Sequence, residues 1–270
     1  MSDPGDTGVE SRELEYRVAD HVATITLNRP HHKNAFTMEM VDAWATALRD
    51  AETDPEVRVV LVTGAGDAFC SGVDLGVFAD RERTPLAEKN LLTNRIHQVA
   101  YAAEALTKPY IAAVNGVAVG AGMDMALMAD IRIAASSARF SEGYIRVGLV
   151  PGDGGCWYLP RIVGTATALR LLWTGDFVAA EEALGMGLVT AVHADAEFAA
   201  AARAFADRLA SQPPVAVQLI KRAVREGERH DLRTALDLIS SHQAVVTSTQ
   251  DSQEALAAFR AKRPGVYTGR

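Results

Sequence analysis

Cysteine is nearly absent from this 270-residue chain, which carries two, Cys70 and Cys156. Two cysteines build no disulfide framework, and neither has the spacing of a metal-ligand pair. A reducing, cytoplasmic setting is expected from that usage. No apolar run reaches the ~18 residues that a membrane span requires; the Tyr110 to Met123 run is short and glycine-rich. The opening "MSDPGDTGVESRELE" is acidic and polar, the opposite of a secretory signal. A basic excess is missing too. The net charge is −7 with Lys and Arg scattered, so no nucleic-acid footprint is visible. Fixed-period repeats and low-complexity segments are also lacking; the Ala-rich "AEFAAAARAFADRLA" is ordinary helical filler.

Several chemical motifs are absent as well. The chain contains no P-loop, no H-E-x-x-H and no G-x-S-x-G. "VTGAGDAF" follows a strand and approaches a dinucleotide fingerprint, but Phe69 stands where the third glycine belongs. A nicotinamide oxidoreductase is disfavoured on that ground. The adjacent His31 and His32 read as surface residues, and His97 as a packed or solvated side chain of a helix.

What is present is a core. Hydrophobic residues make up 49% of the chain, enough for a sizeable interior. "LEYRVADHVATITLNRP" alternates like two strands joined at Ala19-Asp20. Phe36, Met40, Val41, Trp44 and Leu48 recur at helical spacing behind Thr37, a candidate N-cap. "VRVVLVTG" reads as a buried strand, and a long helix is expected from Leu86 to Leu106. Beyond Ala179 the pattern is almost purely helical. Strands alternating with helices, then helices alone, predict an α/β core with a helical C-terminal extension. The expected divisions are a flexible tail over 1–12, a core over 13–205 and a helical region over 206–270.

Two glycine sites invite chemistry. One is "FCSGVDL", Phe69 to Leu75, after the central strand; the other is "GAGMD", Gly120 to Asp124, opening a helix. Small residues admit close backbone approach, and a helix start offers unpaired N–H groups. Two such donors aimed at one oxygen form an oxyanion hole. Either site taken alone also reads as tight helix–strand packing.

Together with their surroundings these sites carry a resemblance. "LNRPHHKNAF", "AFCSGVDL", "KPYIAAVNGVAVGAGMDMALMADIRIA", "FSEGYIRVGLVPGDGGCWYLPRIVG", "EALGMGLV" and "AFRAKRP" occur in that order. Across almost the whole chain, this arrangement resembles the crotonase (enoyl-CoA hydratase/isomerase) superfamily. The resemblance implies a spiral of ββα units followed by helices that mediate trimer formation, often as a dimer of trimers. It implies an acyl-CoA thioester as substrate, with coenzyme A part of that substrate and no other cofactor or metal, and neither a nucleic-acid nor a membrane partner. It places the two hydrogen-bond donors at the backbone of Val73 and Ala121. It places coenzyme A contacts at Lys33 and Ala35, at Ser71, Asp74 and Leu75, and at Phe259 and Lys262. Residues 76–95 are expected to shape the acyl pocket.

The acids depart from the family's hydratase pattern. Where such hydratases carry two glutamates, this chain has Asp124 and, by ungapped alignment, Tyr144. Dienoyl-CoA isomerases of the family also carry Asp at the first position. Glu142 and Asp153 are candidate replacements for the second acid, although Asp153 between Gly152 and Gly154 reads first as a turn residue. A carboxylate on an apolar helix has its pKa raised by desolvation, which suits a proton shuttle; Asp124 also reads as an acid capping its own helix. The expectation is an enzyme that stabilises a thioester enolate and shifts a C=C bond with Asp124, with Tyr144 beside it. The alternatives are hydration using Asp124 with a displaced acid, hydrolysis or C–C cleavage on the same hole, and non-catalytic acyl-CoA binding.

Overall fold

The computed structural model describes residues 13–74, 76 and 84–270. The expected tail over 1–12, the candidate contact Leu75 and the 77–83 part of the acyl-pocket segment lie outside the described residues.

The chain opens with a hairpin of β1 (Leu14–Ala19) and β2 (Val22–Leu27). Its two-residue turn, Asp20-His21, holds both residues at positive φ (51° and 64°), the sense that matches strand twist. Helix α1 (Met38–Thr53) starts where expected, with the Thr37 side chain accepting from the Met40 amide at 3.2 Å. Then come β3 (Val59–Gly64) and β4 (Ala68–Cys70). The expected long helix is three consecutive segments: α2 (Pro85–Leu91), a π-turn over Leu92–Ile96, and α3 (His97–Ala105). They are followed by β5 (Tyr110–Val114), β6 (Val117–Val119), α4 (Ala121–Leu127), β7 (Ile131–Ala135) and β8 (Arg139–Ser141). Helices α5 (Gly155–Val163) and α6 (Thr165–Thr174) follow.

Three strand pairs repeat one manoeuvre. β3, β5 and β7 lie side by side and parallel in a six-stranded sheet, ordered β1-β2-β3-β5-β7 with a last edge strand described below. Their partners β4, β6 and β8 line up in parallel in a second sheet. Each turn of chain thus adds one strand to each sheet before a helical segment returns it, which is a spiral of ββα units. The corners are stitched by side chains. Asn115 Nδ2 donates to Gly64 O (2.8 Å) and Gly66 O (2.9 Å), while its Oδ1 accepts from Gly64 N (3.1 Å). Gly116 is needed because a Cβ there would meet Asp67 O at 2.1 Å. Gly64 to Gly66 therefore turn one strand into the next, with no helix behind them to hold a pyrophosphate.

The large sheet is buried on both faces. Alternate residues of β5 divide between them: Tyr110, Ala112 and Val114 join one core, Ile111 and Ala113 the other. On the first side, Trp44 of α1 donates its indole N–H to the Tyr110 hydroxyl at 3.1 Å. The second side is covered by Phe198, Ala202, Ala206 and Ala210 of a helix in the C-terminal third.

Beyond Ala179 the chain is helical apart from one short strand that the sequence did not announce. β9 (Val178–Ala179) pairs antiparallel with β8, α7 (Ala180–Gly185) follows, and β10 (Ala191–His193) is the unannounced strand, closing the large sheet parallel to β7. Two or three residues are too few to display alternation; tertiary pairing makes them strands. Helices α8 (Asp195–Ala210), α9 (Pro214–Gly227), α10 (Leu232–Thr247) and α11 (Gln250–Ala261) complete the chain. Asp130 ties α9 down, accepting from Tyr110 N (2.8 Å) and pairing with Lys221 (2.6 Å) and Arg225 (2.9 Å). Arg132 donates to the carbonyls of Leu188 and Ala129, both at 2.7 Å. Both side chains brace the junction between α4 and β7. Among the described residues no helix is long and apolar enough to cross a membrane.

Candidate active site

The two glycine sites meet. Phe36 donates its amide to Gly72 O (2.9 Å) and accepts at its carbonyl from Asp74 N (3.0 Å). In a parallel bridge of this kind the N–H of the intervening residue, Val73, points away from Phe36. Gly72 has φ +101°, and a Cβ on it would lie 3.7 Å from Ala121 N, so this segment runs against the start of α4. Gly120 takes φ +52° and donates to Ser141 O at 2.8 Å. Ala121 then begins the helix, where an amide has no carbonyl four residues back. Among the described residues neither the Val73 nor the Ala121 amide donates within the protein. The second glycine of the pair has a packing role: a Cβ on Gly122 would meet Cys70 O at 2.1 Å.

Asp124 sits one turn into α4, on a helix whose every residue is buried. Around it close three groups from later segments. Glu142 follows β8, Tyr144 lies on the 3-10 turn Gly143–Val147, and Asp153 precedes α5. The Tyr144 hydroxyl is 2.8 Å from Asp124 Oδ2 and 2.8 Å from Asp153 Oδ2. Asp124 and Glu142 are 0% exposed and Asp153 3%, so the turn residue expected at 153 is a buried acid. Asp124 Oδ1 and both Glu142 oxygens have no hydrogen-bond partner among the described residues. His97, from α3, donates its Nε2–H to Gly152 O at 2.8 Å and so holds the loop that carries Asp153. His97 is half-buried.

Burial of several acids together separates their protonation. Burial lifts the Asp124 carboxyl to about 7, helped by the Asp153 charge and opposed by the Tyr144 hydrogen bond. Glu142 is pushed further, to about 10, by burial and then by the Asp124 charge. Burial also raises Asp153, while the Tyr144 hydrogen bond and His97 pull it back. The Tyr144 phenol stands well above its ordinary range through burial and the two aspartates. Near neutral pH, Glu142 and Tyr144 therefore hold their protons and Asp124 exchanges its own. Separation of this sort equips neighbouring carboxyls for opposite roles.

Four of the expected coenzyme A contacts, Lys33, Ala35, Ser71 and Asp74, lie together beside Val73. Ser71 donates its amide to Lys33 O (3.0 Å) and its hydroxyl to His32 O (3.3 Å). Arg29 pairs with Asp74 at 2.8 Å and also bonds the Ala35 carbonyl. Buried Asn34 fixes the loop through Ala65 O (2.9 Å) and Ala68 O (2.7 Å). Lys33 pairs with Asp67 at 2.5 Å on an exposed face, a contact that solvent weakens. Phe259 and Lys262 are not brought to this surface within one chain. They end α11, which packs on α10; Phe259 is 82% exposed and Lys262 is the left-handed cap. Among the described residues no group of three or more His, Cys, Asp or Glu is arranged to hold a metal ion.

Sequence reasoning missed Gly155. A Cβ there would lie 2.3 Å from Asp124 Oδ1 and 3.0 Å from Glu142 Oε1, so its bare backbone makes room for both acids. The doublet Gly154-Gly155 at a helix start was the available signal.

A two-sheet ββα spiral with a glycine-flanked helix start beside a free strand amide defines the crotonase class. The chain belongs to the enoyl-CoA hydratase/isomerase family, whose model matches residues 17–270. It is 40% identical over 250 residues to the 1,2-epoxyphenylacetyl-CoA isomerase of Escherichia coli K12, covering 92% of this chain and 95% of that protein. It is 37% identical to the short-chain-enoyl-CoA hydratase of Clostridium acetobutylicum, covering 90% and 92%. The enoyl-CoA hydratase crystal structure from Bacillus anthracis superposes with a TM-score of 0.90 at 33% identity, covering 96% of this chain and 100% of that one. This is an acyl-CoA-processing enzyme, a lyase or an isomerase.

Proposed function

We propose that the enzyme shifts a C=C bond of an enoyl-CoA thioester by proton transfer. The thioester oxygen accepts from the Val73 and Ala121 amides, which lowers the energy of the enolate formed when an α-proton leaves. Asp124 takes that proton and returns it at the γ carbon. One observation carries the reading: Asp124 has one oxygen held by Tyr144 and the other without a partner among the described residues, while Glu142 and Tyr144 hold their protons near neutrality. Asp124 is thus the acid on α4 that can act as the base isomerisation needs.

Hydration is the second reading, favoured by the three unpartnered oxygens of Asp124 and Glu142 around Gly155. A water that reached both would meet a base and a protonated acid. Supplying 2-enoyl and 3-enoyl thioesters separates the two. Loss of the conjugated-thioester absorbance from a 2-enoyl substrate supports hydration, and its appearance from a 3-enoyl substrate supports migration. If Asp124→Asn leaves every acyl-CoA activity unchanged, the base assignment fails.

Coenzyme A is proposed to lie along Lys33, Ala35, Ser71 and Asp74, with Leu75, Phe259 and Lys262 as further contacts. A homotrimer or dimer of trimers suits the apolar side chains left open on the C-terminal helices, among them Ile220, Val224, Leu236 and Leu256 at 51–63% exposure. A second chain would then bring Phe259 and Lys262 to the nucleotide. Free Cys156, exposed at the start of α5, fits a cytoplasmic location.

A further inference from the structure

A phenol carries one proton, yet the Tyr144 oxygen stands at 2.8 Å from a carboxylate oxygen on each side. It donates to one. The other contact is a hydrogen bond only if that carboxyl is protonated and donates to the phenol oxygen. In the singly charged state Asp124, Tyr144 and Asp153 hold two protons and one negative charge among them, and both contacts are hydrogen bonds. The charge rests on Asp124 with Asp153 protonated, or on Asp153 with Asp124 protonated. Passing from the first state to the second breaks the Asp153 O–H bond as one forms at Tyr144. At the same time the former Tyr144 O–H breaks and one forms at Asp124 Oδ2. Only hydrogens move, and the total charge is conserved.

The outer end of this chain meets open space. A cavity of about 970 Å³ is lined by Asp153 with His97, Gly152, Cys156 and Trp157. Asp124, Tyr144 and Glu142 do not line it. Asp153 is thus the one member of the acid cluster at that cavity, and His97 fixes its loop there through Gly152.

We propose that Asp153 and Tyr144 form a relay through which the proton of Asp124 exchanges with water in this cavity. The proposal rests on Asp124 being the base. Protons enter its carboxyl at Oδ2 from Tyr144 and meet the substrate at Oδ1, the unpartnered oxygen. Tyr144 and Asp153 act through Asp124. Without the relay, a proton lifted from the α carbon stays on Asp124 until it is delivered.

A 3-enoyl-CoA deuterated at C2 and turned over in ordinary water tests this by mass spectrometry of the product. In the wild type, deuterium is largely lost before delivery to C4. Tyr144→Phe and Asp153→Asn each raise the fraction found at C4 about threefold or more, whatever happens to kcat. A merely structural role lowers turnover and leaves that fraction alone. The relay is overturned if both variants partition label as the wild type does, or if the wild type already delivers all of it. Thermal melting confirms folding, and Asp153→Asn stands in should Tyr144→Phe fail to fold. Absence of any wild-type turnover on enoyl thioesters sinks the isomerase reading itself, a different failure from an unchanged partition.

Discussion

Gly155 and Asp124 approach so closely that position 155 admits no side chain: a methyl there would lie 2.3 Å from Asp124 Oδ1. The carboxylate is wholly buried, so it has no free direction in which to yield. Gly155→Ala is expected to cost roughly 1–3 kcal/mol, as overpacking does. Turnover should fall by about 100-fold, because a displacement near 1 Å removes a base from its line of attack. Urea unfolding and steady-state kinetics check the two effects separately. Normal turnover in a folded variant would mean that Oδ1 does not meet the substrate.

The pH profile follows from which groups act on Asp124. A base must be ionised, so kcat/KM should rise with pH through a limb near 7. The Tyr144 hydrogen bond lowers the Asp124 pKa and the Asp153 charge raises it. Tyr144→Phe is therefore expected to move the limb upward and Asp153→Asn to move it downward. Profiles on one substrate decide the matter. Shifts of the same sign in both variants would remove the electrostatic account.

Glu142 makes stability depend on pH. Its carboxyl titrates near 4.5 when free and is raised to about 10 in the fold by burial and the Asp124 charge. Below the lower value both states are protonated and the fold keeps its full stability. Between the two values the unfolded chain releases a proton that the folded chain retains, so stability falls as pH rises. Glu142→Gln cannot ionise. The variant should gain on the wild type steadily across that window in urea midpoints. A constant difference would mean that Glu142 ionises inside the fold.

Local features were legible in the sequence and convergent ones were not. Thr37 announced a cap because its partner, Met40 N, lies three residues away. The β5–β6 corner and the start of α4 were legible from Asn115-Gly116 and Gly120, where the backbone itself demands small residues. β10 was missed because three residues carry no period and only β7 makes them a strand. The acid cluster needs residues 124, 142, 144 and 153 to fold onto one point. Asp153 looked like a turn between glycines, and only its contact with Tyr144 makes it part of the site. Resemblance pointed to Val73 and Ala121, while the reason the Val73 amide has no partner among the described residues lies in its bridge to Phe36.

Glu142→Gln also separates the two reactions. Near neutrality Glu142 is a protonated acid, and the amide copies its shape without a transferable proton. Isomerisation driven by Asp124 alone should stay within about threefold of the wild type, since the variant removes no base. Hydration needs a proton donated to the α carbon after water adds, and Glu142 is the neighbouring acid that holds one. It should drop by about 100-fold or more. Measuring both activities on one preparation, with 2-enoyl and 3-enoyl thioesters of equal length, gives a ratio independent of folding yield. A collapse of 3-enoyl turnover in this variant would make Glu142 a partner of Asp124 in isomerisation and end the single-base description.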